Sequence, residues 1–174
     1  MILETKRLFL RRWTQEDFAD LAEMLQDPEV MYAYEHDFSD DDVRAWLNRQ
    51  LARYEKDGFG LFAAVRKEDG VVVGQAGITW QDPEGEPVLE IGYHLKRRYW
   101  HMGYAAEAAL GCRDYAFSAL NAPEVFSIIK SDNFASQKVA ECMGMRKRKE
   151  FTVTYYAGEM LHYLYGVSRQ EANN

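Results

Sequence analysis

Along the chain, stretches with a helical spacing of apolar residues alternate with stretches whose apolar residues recur every second position. Arg7–Trp13 alternates, with Leu8 and Leu10 on one face, and predicts a strand. Thr14, with Asp17 three residues later, resembles a helix start of the capping-box type. The helix predicted over Glu16–Gln26 places Phe18, Leu21, Ala22 and Leu25 on one face, and Asp27-Pro28 ends it. Ser39 and Asp42 repeat the capping pattern. A second helix to about Lys56 follows, with Val43, Trp46, Leu47, Leu51 and Tyr54 along one stripe and Asp57-Gly58 as its stop.

The period then changes to two. Strands are expected over Phe59–Arg66, Val71–Trp80 and Val88–Leu95, separated by the charged turn Lys67–Gly70 and the loop Asp82–Pro87. That acidic loop lacks the spacing of a calcium loop and reads as a solvated turn. Gly103–Leu120 is a helix, Glu124–Lys130 a strand, and Ala135–Met143 a short helix closed by Gly144. Arg146–Tyr156 and Glu159–Val167 end the chain as two strands joined through Gly158. The order β-α-α-β-β-β-α-β-α-β-β suits an α/β (α+β) fold, with one mixed sheet of about seven strands and about four helices on its faces. No linker divides it, so residues 1–174 are expected to form a single domain.

Composition narrows the function classes. A chain that is 47% hydrophobic and 14% aromatic can build a core and is not a disordered one. A net charge of −7 argues against nucleic-acid binding as the main task. Cys112 and Cys142 show no metal or redox spacing. His36, His94, His101 and His162 show no metal spacing either, so no metal is expected. The opening MILETKRLFLRRW has charges throughout and no apolar signal core, and no uncharged run approaches the ~18 residues of a membrane span. A cytoplasmic protein without membrane association is therefore the expectation.

The candidate chemistry lies where strand Leu89–Leu95 passes through the cationic loop Lys96–His101 into the helix that opens at Gly103. A helix N-terminus leaves free N–H groups and carries about half a positive charge, so it favours an anion. Gly103 permits close backbone approach, Ala105 and Ala106 keep the first turn low, and Arg98 can add a charge-assisted contact to phosphate. The stretch YWHMGYAAEAA (99–109) thus fits a diphosphate cradle, or a tight helix-on-sheet contact that needs small residues. It is neither GxGxxG nor a P-loop. Glu107 reads as structural, and Tyr32, Tyr34, Trp46, Trp80, Tyr155 and Tyr156 read mostly as core.

Four segments carry a resemblance: ETKRLFLRRWTQEDFADLAEMLQDPEVM (4–31), LEIGYHLKRRYWHMGYAAEAA (89–109), NFASQKVAECMGM (133–145) and YYAGEMLHYLYGVS (155–168). Together they resemble GNAT-superfamily N-acetyltransferases, specifically the RimJ/RimL-like branch. The resemblance implies the acyl-CoA N-acyltransferase fold, with a mostly antiparallel sheet. It also implies direct transfer of an acetyl group from acetyl-CoA to a primary amine. One departure is that His101 stands at the first glycine of the family's loop, Gln/Arg-x-x-Gly-x-Gly/Ala.

By resemblance, Ile91, Gly92, Tyr93, His94 and Leu95 run beside the pantetheine arm. Arg98, His101, Met102, Gly103, Tyr104 and Ala105 hold the diphosphate, and Asn133 contacts the arm. Ser136 is the candidate proton donor to the leaving sulfur, since the helix carries no Tyr. Glu90 is the candidate general base, with a structural hydrogen bond or salt bridge as its other reading. Strand alternation puts it with Gly92 and His94, opposite Ile91, Tyr93 and Leu95. Tyr32 and Tyr34 are acceptor-site candidates, and His94 and His162 lie where they could touch substrate. The acceptor stays open between a protein N-terminal α-amine, a polyamine, an amino acid and other small amines. The resemblance also allows a homodimer. Two rival readings remain: a non-catalytic acyl-CoA-binding or sensing module on the same fold, and a structural domain without a CoA site.

Overall fold

The structure is a computed structural model that describes residues 1–173. Its strands are β1 (Leu3–Glu4), β2 (Leu8–Arg11), β3 (Leu61–Arg66), β4 (Val72–Gln81), β5 (Val88–Leu95), β6 (Glu124–Lys130), β7 (Arg146–Tyr155) and β8 (Gly158–Ser168). Its helices are α1 (Phe18–Leu25), α2 (Asp40–Asp57), α3 (Tyr104–Ser118), α4 (Phe134–Cys142) and α5 (Arg169–Ala172). The strands form one 8-stranded sheet in the order β1-β2-β3-β4-β5-β6-β8-β7. Neighbouring strands are antiparallel except β5 and β6.

Local chemistry explains most boundaries. Ser39 caps α2 reciprocally: its Oγ accepts from the Asp42 N–H (3.2 Å), and its own N–H donates to Asp42 Oδ2 (2.9 Å). Gly58 ends that helix in the left-handed region. The first predicted helix starts instead as a 3-10 turn over Gln15–Asp17. There the Asp17 carboxylate takes both guanidinium nitrogens of Arg11 (2.8 Å each) and the Thr14 N–H (2.8 Å).

The structure adds a strand and a helix to the predicted set. β1 has two residues, too few to show alternation, and is held to β2 by pairing alone. α5 has four residues and starts from a Ser168–Glu171 capping box that passed unread. Trp80, Tyr156 and Tyr32 are exposed rather than core. Trp80 takes the outward position at the end of β4, and the Tyr156 ring stacks on His36 at 3.8 Å.

Two layers of helix enclose the sheet. α3 and α4 pack over β4, β5 and β6. On the other face the α2 residue Trp46 meets the ring of His94 edge-on at 5.9 Å. The split follows strand alternation: the Tyr93 hydroxyl reaches the Ser136 carbonyl of α4 (2.9 Å), whereas its neighbour His94 faces α2. β7 forms one edge, where Arg146, Lys147 and Lys149 discourage pairing with another chain.

The feature that positions the site is a fork in the sheet. β4 and β5 pair along the whole of β5, from Val88 to Leu95. β5 and β6 run parallel but pair only at Glu90↔Phe126. Beyond that point the strands diverge, and Ile91–Leu95 turn one edge of their backbone toward open space.

Candidate active site

A cavity of about 950 Å³ runs through the fork. Polar side chains replace the missing ladder at its apex. Ser127 Oγ donates to the Ile91 carbonyl (2.8 Å). The Ile128 N–H donates to Glu90 Oε1 (3.3 Å), and Thr79 Oγ1 donates to Glu90 Oε2 (3.4 Å). Burial pushes the Glu90 carboxyl above its ordinary range, and these donors only partly oppose it. A half-buried carboxylate with a raised pKa is suited to accept a proton near neutral pH.

On the α2 side, Tyr34, Trp46 and Tyr155 form aromatic walls around His94. Burial lowers the His94 pKa to about 4, so the ring is neutral at pH 7. Gln75 Nε2 lies 3.1 Å from His94 Nδ1; donation from the amide assigns the ring proton to Nε2. His162, buried at the far wall, donates Nδ1–H to the Met160 carbonyl (3.0 Å), and burial lowers its pKa too.

On the α3 side, Gly103 precedes the helix at φ 80°, and no side chain caps the first turn. Tyr104, Ala105 and Ala106 line the cavity there, so its wall is a helix N-terminus with small side chains. His101 also adopts the left-handed region, at φ 61°. The backbone of a glycine loop is therefore kept although the residue is not glycine. Arg7 braces the loop by donating to the Met102 carbonyl (2.9 Å) and lying 4.3 Å over the Tyr104 ring. Glu107 turns away and accepts from Thr5 Oγ1 (2.6 Å), the Arg7 N–H (2.7 Å) and Arg7 Nε (2.7 Å). It ties the β1–β2 turn to α3 and is structural.

The fork gathers most of the residues singled out from sequence. Glu90, the run 91–95, Tyr32 and Tyr34 line the cavity. So do His101, Gly103, Tyr104, Ala105, Asn133 and Ser136. Asn133 Oδ1 caps α4 by accepting the Ser136 N–H (3.1 Å), which leaves its amide N–H₂ for a ligand. Arg98 and Met102 do not line it. Arg98 is exposed and ion-paired with Glu23, which also holds Lys96 at 2.8 Å. The sequence reading missed Arg49, Gln50 and Arg53, which line the α2 side, and took Trp46 for core alone. The signal was present: 46, 49, 50 and 53 follow the i, i+3, i+4, i+7 spacing of one helix face.

A sheet opened by a fork, with a helix N-terminus on one side and a half-buried carboxylate on the other, is the architecture of an acyltransferase. Residues 7–146 match the family profile described as Acetyltransferase (GNAT) domain, and the chain belongs to that family of N-acetyltransferases. It is 38% identical over 148 residues to the uncharacterized protein YkkB of Bacillus subtilis, covering 84% of this chain and 86% of YkkB. It is 27% identical over 176 residues to the uncharacterized N-acetyltransferase YnaD of the same organism, covering 99% of this chain and all of that one. Among solved structures, a GNAT-family acetyltransferase from Bacillus anthracis superposes with a TM-score of 0.82 at 25% identity, over 98% of this chain and 99% of that one.

Proposed function

We propose that this chain transfers an acetyl group directly from acetyl-CoA to a primary amine, with Glu90 as general base and Ser136 as donor to the leaving sulfur. The observation that carries this reading is the fork: free backbone of β5 lies between a helix N-terminus and Glu90 within one cavity. The pantetheine arm would lie along Ile91–Leu95, as an added strand does, with its diphosphate at 103–105. The amine would enter from the α2 side, within the aromatic walls.

The proton bookkeeping is short. The amine arrives as an ammonium and gives a proton to Glu90, directly or through water. Its nitrogen bonds to the thioester carbon, the carbon–sulfur bond breaks, and the thiolate takes the Ser136 Oγ proton, which Ser136 recovers through water from the second N–H the nitrogen loses as it becomes an amide. Backbone N–H groups at the fork face the oxygen on which charge develops. A cytoplasmic setting and membership of the RimJ/RimL-like branch belong to the same reading, on the four resembling segments.

Thermal unfolding with acetyl-CoA, CoA and NAD, on the wild type and on Gly103→Glu, tests it. A ligand that binds only the folded state stabilises by about 2.7 kcal/mol at 100 times its dissociation constant. Acetyl-CoA and CoA should both raise the midpoint, NAD should not, and the variant should lose the response. Release of free CoA thiol when an amine is added then separates an enzyme from a CoA-binding module.

A further inference from the structure

The α2 wall of the cavity carries Trp46, Arg49, Gln50 and Arg53 on one helix face. Each brings hydrogen-bond donors. Among the described residues, Trp46 is 8% exposed with no partner for its indole N–H, and Gln50 is 1% exposed with none for its Nε2. The Gln50 amide cannot be turned to cure this, because its oxygen accepts from the Leu61 N–H (3.0 Å) and from Arg53 Nη1 (3.4 Å). Arg49 lies 5.3 Å from the Trp46 ring, and neither arginine pairs with a carboxylate among the described residues. Arg53 is half-buried, and burial works against its charge. Two arginines without carboxylate partners on one cavity wall offer an anion charge-assisted hydrogen bonds.

We propose that the α2 face binds an anionic group on the acceptor. The acceptor is then a small primary amine that carries a carboxylate or phosphonate close to its nitrogen. This rests on the reading of Glu90 as the acetyl-transfer centre: the ammonium faces Glu90 while the anion meets Arg49 and Arg53. A polyamine would set a second ammonium against the arginines, an arrangement that works against its binding.

Thiol release from acetyl-CoA, measured with matched amines, tests this. The pairs are the common L-amino acids against their carboxamides, and 2-aminoethylphosphonate against ethanolamine, with spermidine as the dication. In at least one pair the anionic member should be preferred about tenfold or more in kcat/KM, mostly through KM. The preferred pair distinguishes carboxylate from phosphonate. Arg53→Gln and Arg49→Gln should each shrink the preference severalfold, and Arg53→Lys should restore part of it. Arg49 is exposed and Arg53 half-buried, and a retained response to acetyl-CoA shows that each variant is folded. Better turnover of spermidine or the neutral members overturns the proposal, as does a preference unchanged in both Gln variants. Binding of acetyl-CoA with no turnover of any amine overturns it too. No binding of acetyl-CoA at all overturns the acetyl-transfer reading beneath it, and the proposal with it.

Discussion

At the scale of single residues, Glu90 makes the sharpest case because its two roles predict opposite changes in stability. Burial raises its folded-state pKa above the ordinary 4.5. Such a group contributes stability below that value and loses it as pH rises through the folded pKa. At pH 7 the charged carboxylate therefore works against folding. Glu90→Gln should raise the thermal midpoint at pH 7, and the gain should vanish below about pH 4. The same variant should lower kcat by about 100-fold or more while acetyl-CoA still binds. A purely structural Glu90 would give the reverse stability change, because its loss would remove useful bonds. In the wild type, kcat/KM should rise with pH, with its midpoint above the usual carboxylate range. Glu90 was legible through the family resemblance, which puts the central strand beside the thioester. Its bond to Ile128 was not, because the partners are far apart in sequence and meet only at the fork.

At the scale of elements, β4 and β5 face each other with glycines whose jobs differ. Gly77 pairs with Gly92 in register. A Cβ on Gly77 would meet the Gly60 carbonyl oxygen at 2.0 Å and Leu61 Cα at 2.7 Å, both backbone atoms. Gly77→Ala should thus cost about 3 kcal/mol or more, measured by denaturant unfolding. A Cβ on Gly92 would meet only the end of the Leu61 side chain, at 3.4 Å. Gly92→Ala should change stability by less than about 1 kcal/mol, yet lower kcat/KM about tenfold or more by placing a methyl group in the fork. The loop before α3 gives a third case. His101→Gly removes a side chain from the left-handed region, where it costs roughly 1–2 kcal/mol, but adds freedom to the unfolded chain. A net gain of about 0.5–1 kcal/mol in unfolding free energy is expected. The elements themselves were largely readable, since caps such as Ser39–Asp42 and the short apolar runs of β3 to β5 between turn residues are local. β1 was not readable, because tertiary pairing alone defines it.

At the scale of the whole molecule, the fork joins two faces of one sheet, a non-local arrangement with no periodic signature. Sequence alternation placed Glu90 and Tyr93 on opposite sides, but the apex from which β5 and β6 diverge is bridged by Ser127 and Ile128 reaching across from another segment. Under the proposed acetyl transfer, cofactor and acceptor would approach from opposite faces and meet at the fork, so transfer would need both bound together and no protein group would carry the acetyl. The cysteines agree with this geometry. Cys112 is buried, with its thiol pushed up to about 12 by burial. Cys142 is exposed and does not line the cavity. Initial-rate plots at several acetyl-CoA concentrations should give intersecting lines, not the parallel lines of a ping-pong mechanism. Incubation with acetyl-CoA alone should leave the protein mass free of any acetyl adduct, and Cys142→Ala should keep wild-type rates. Parallel lines together with an acetylated protein would show that the two faces are used in turn, and would move the search for the reacting group from the fork to a nucleophile in the chain.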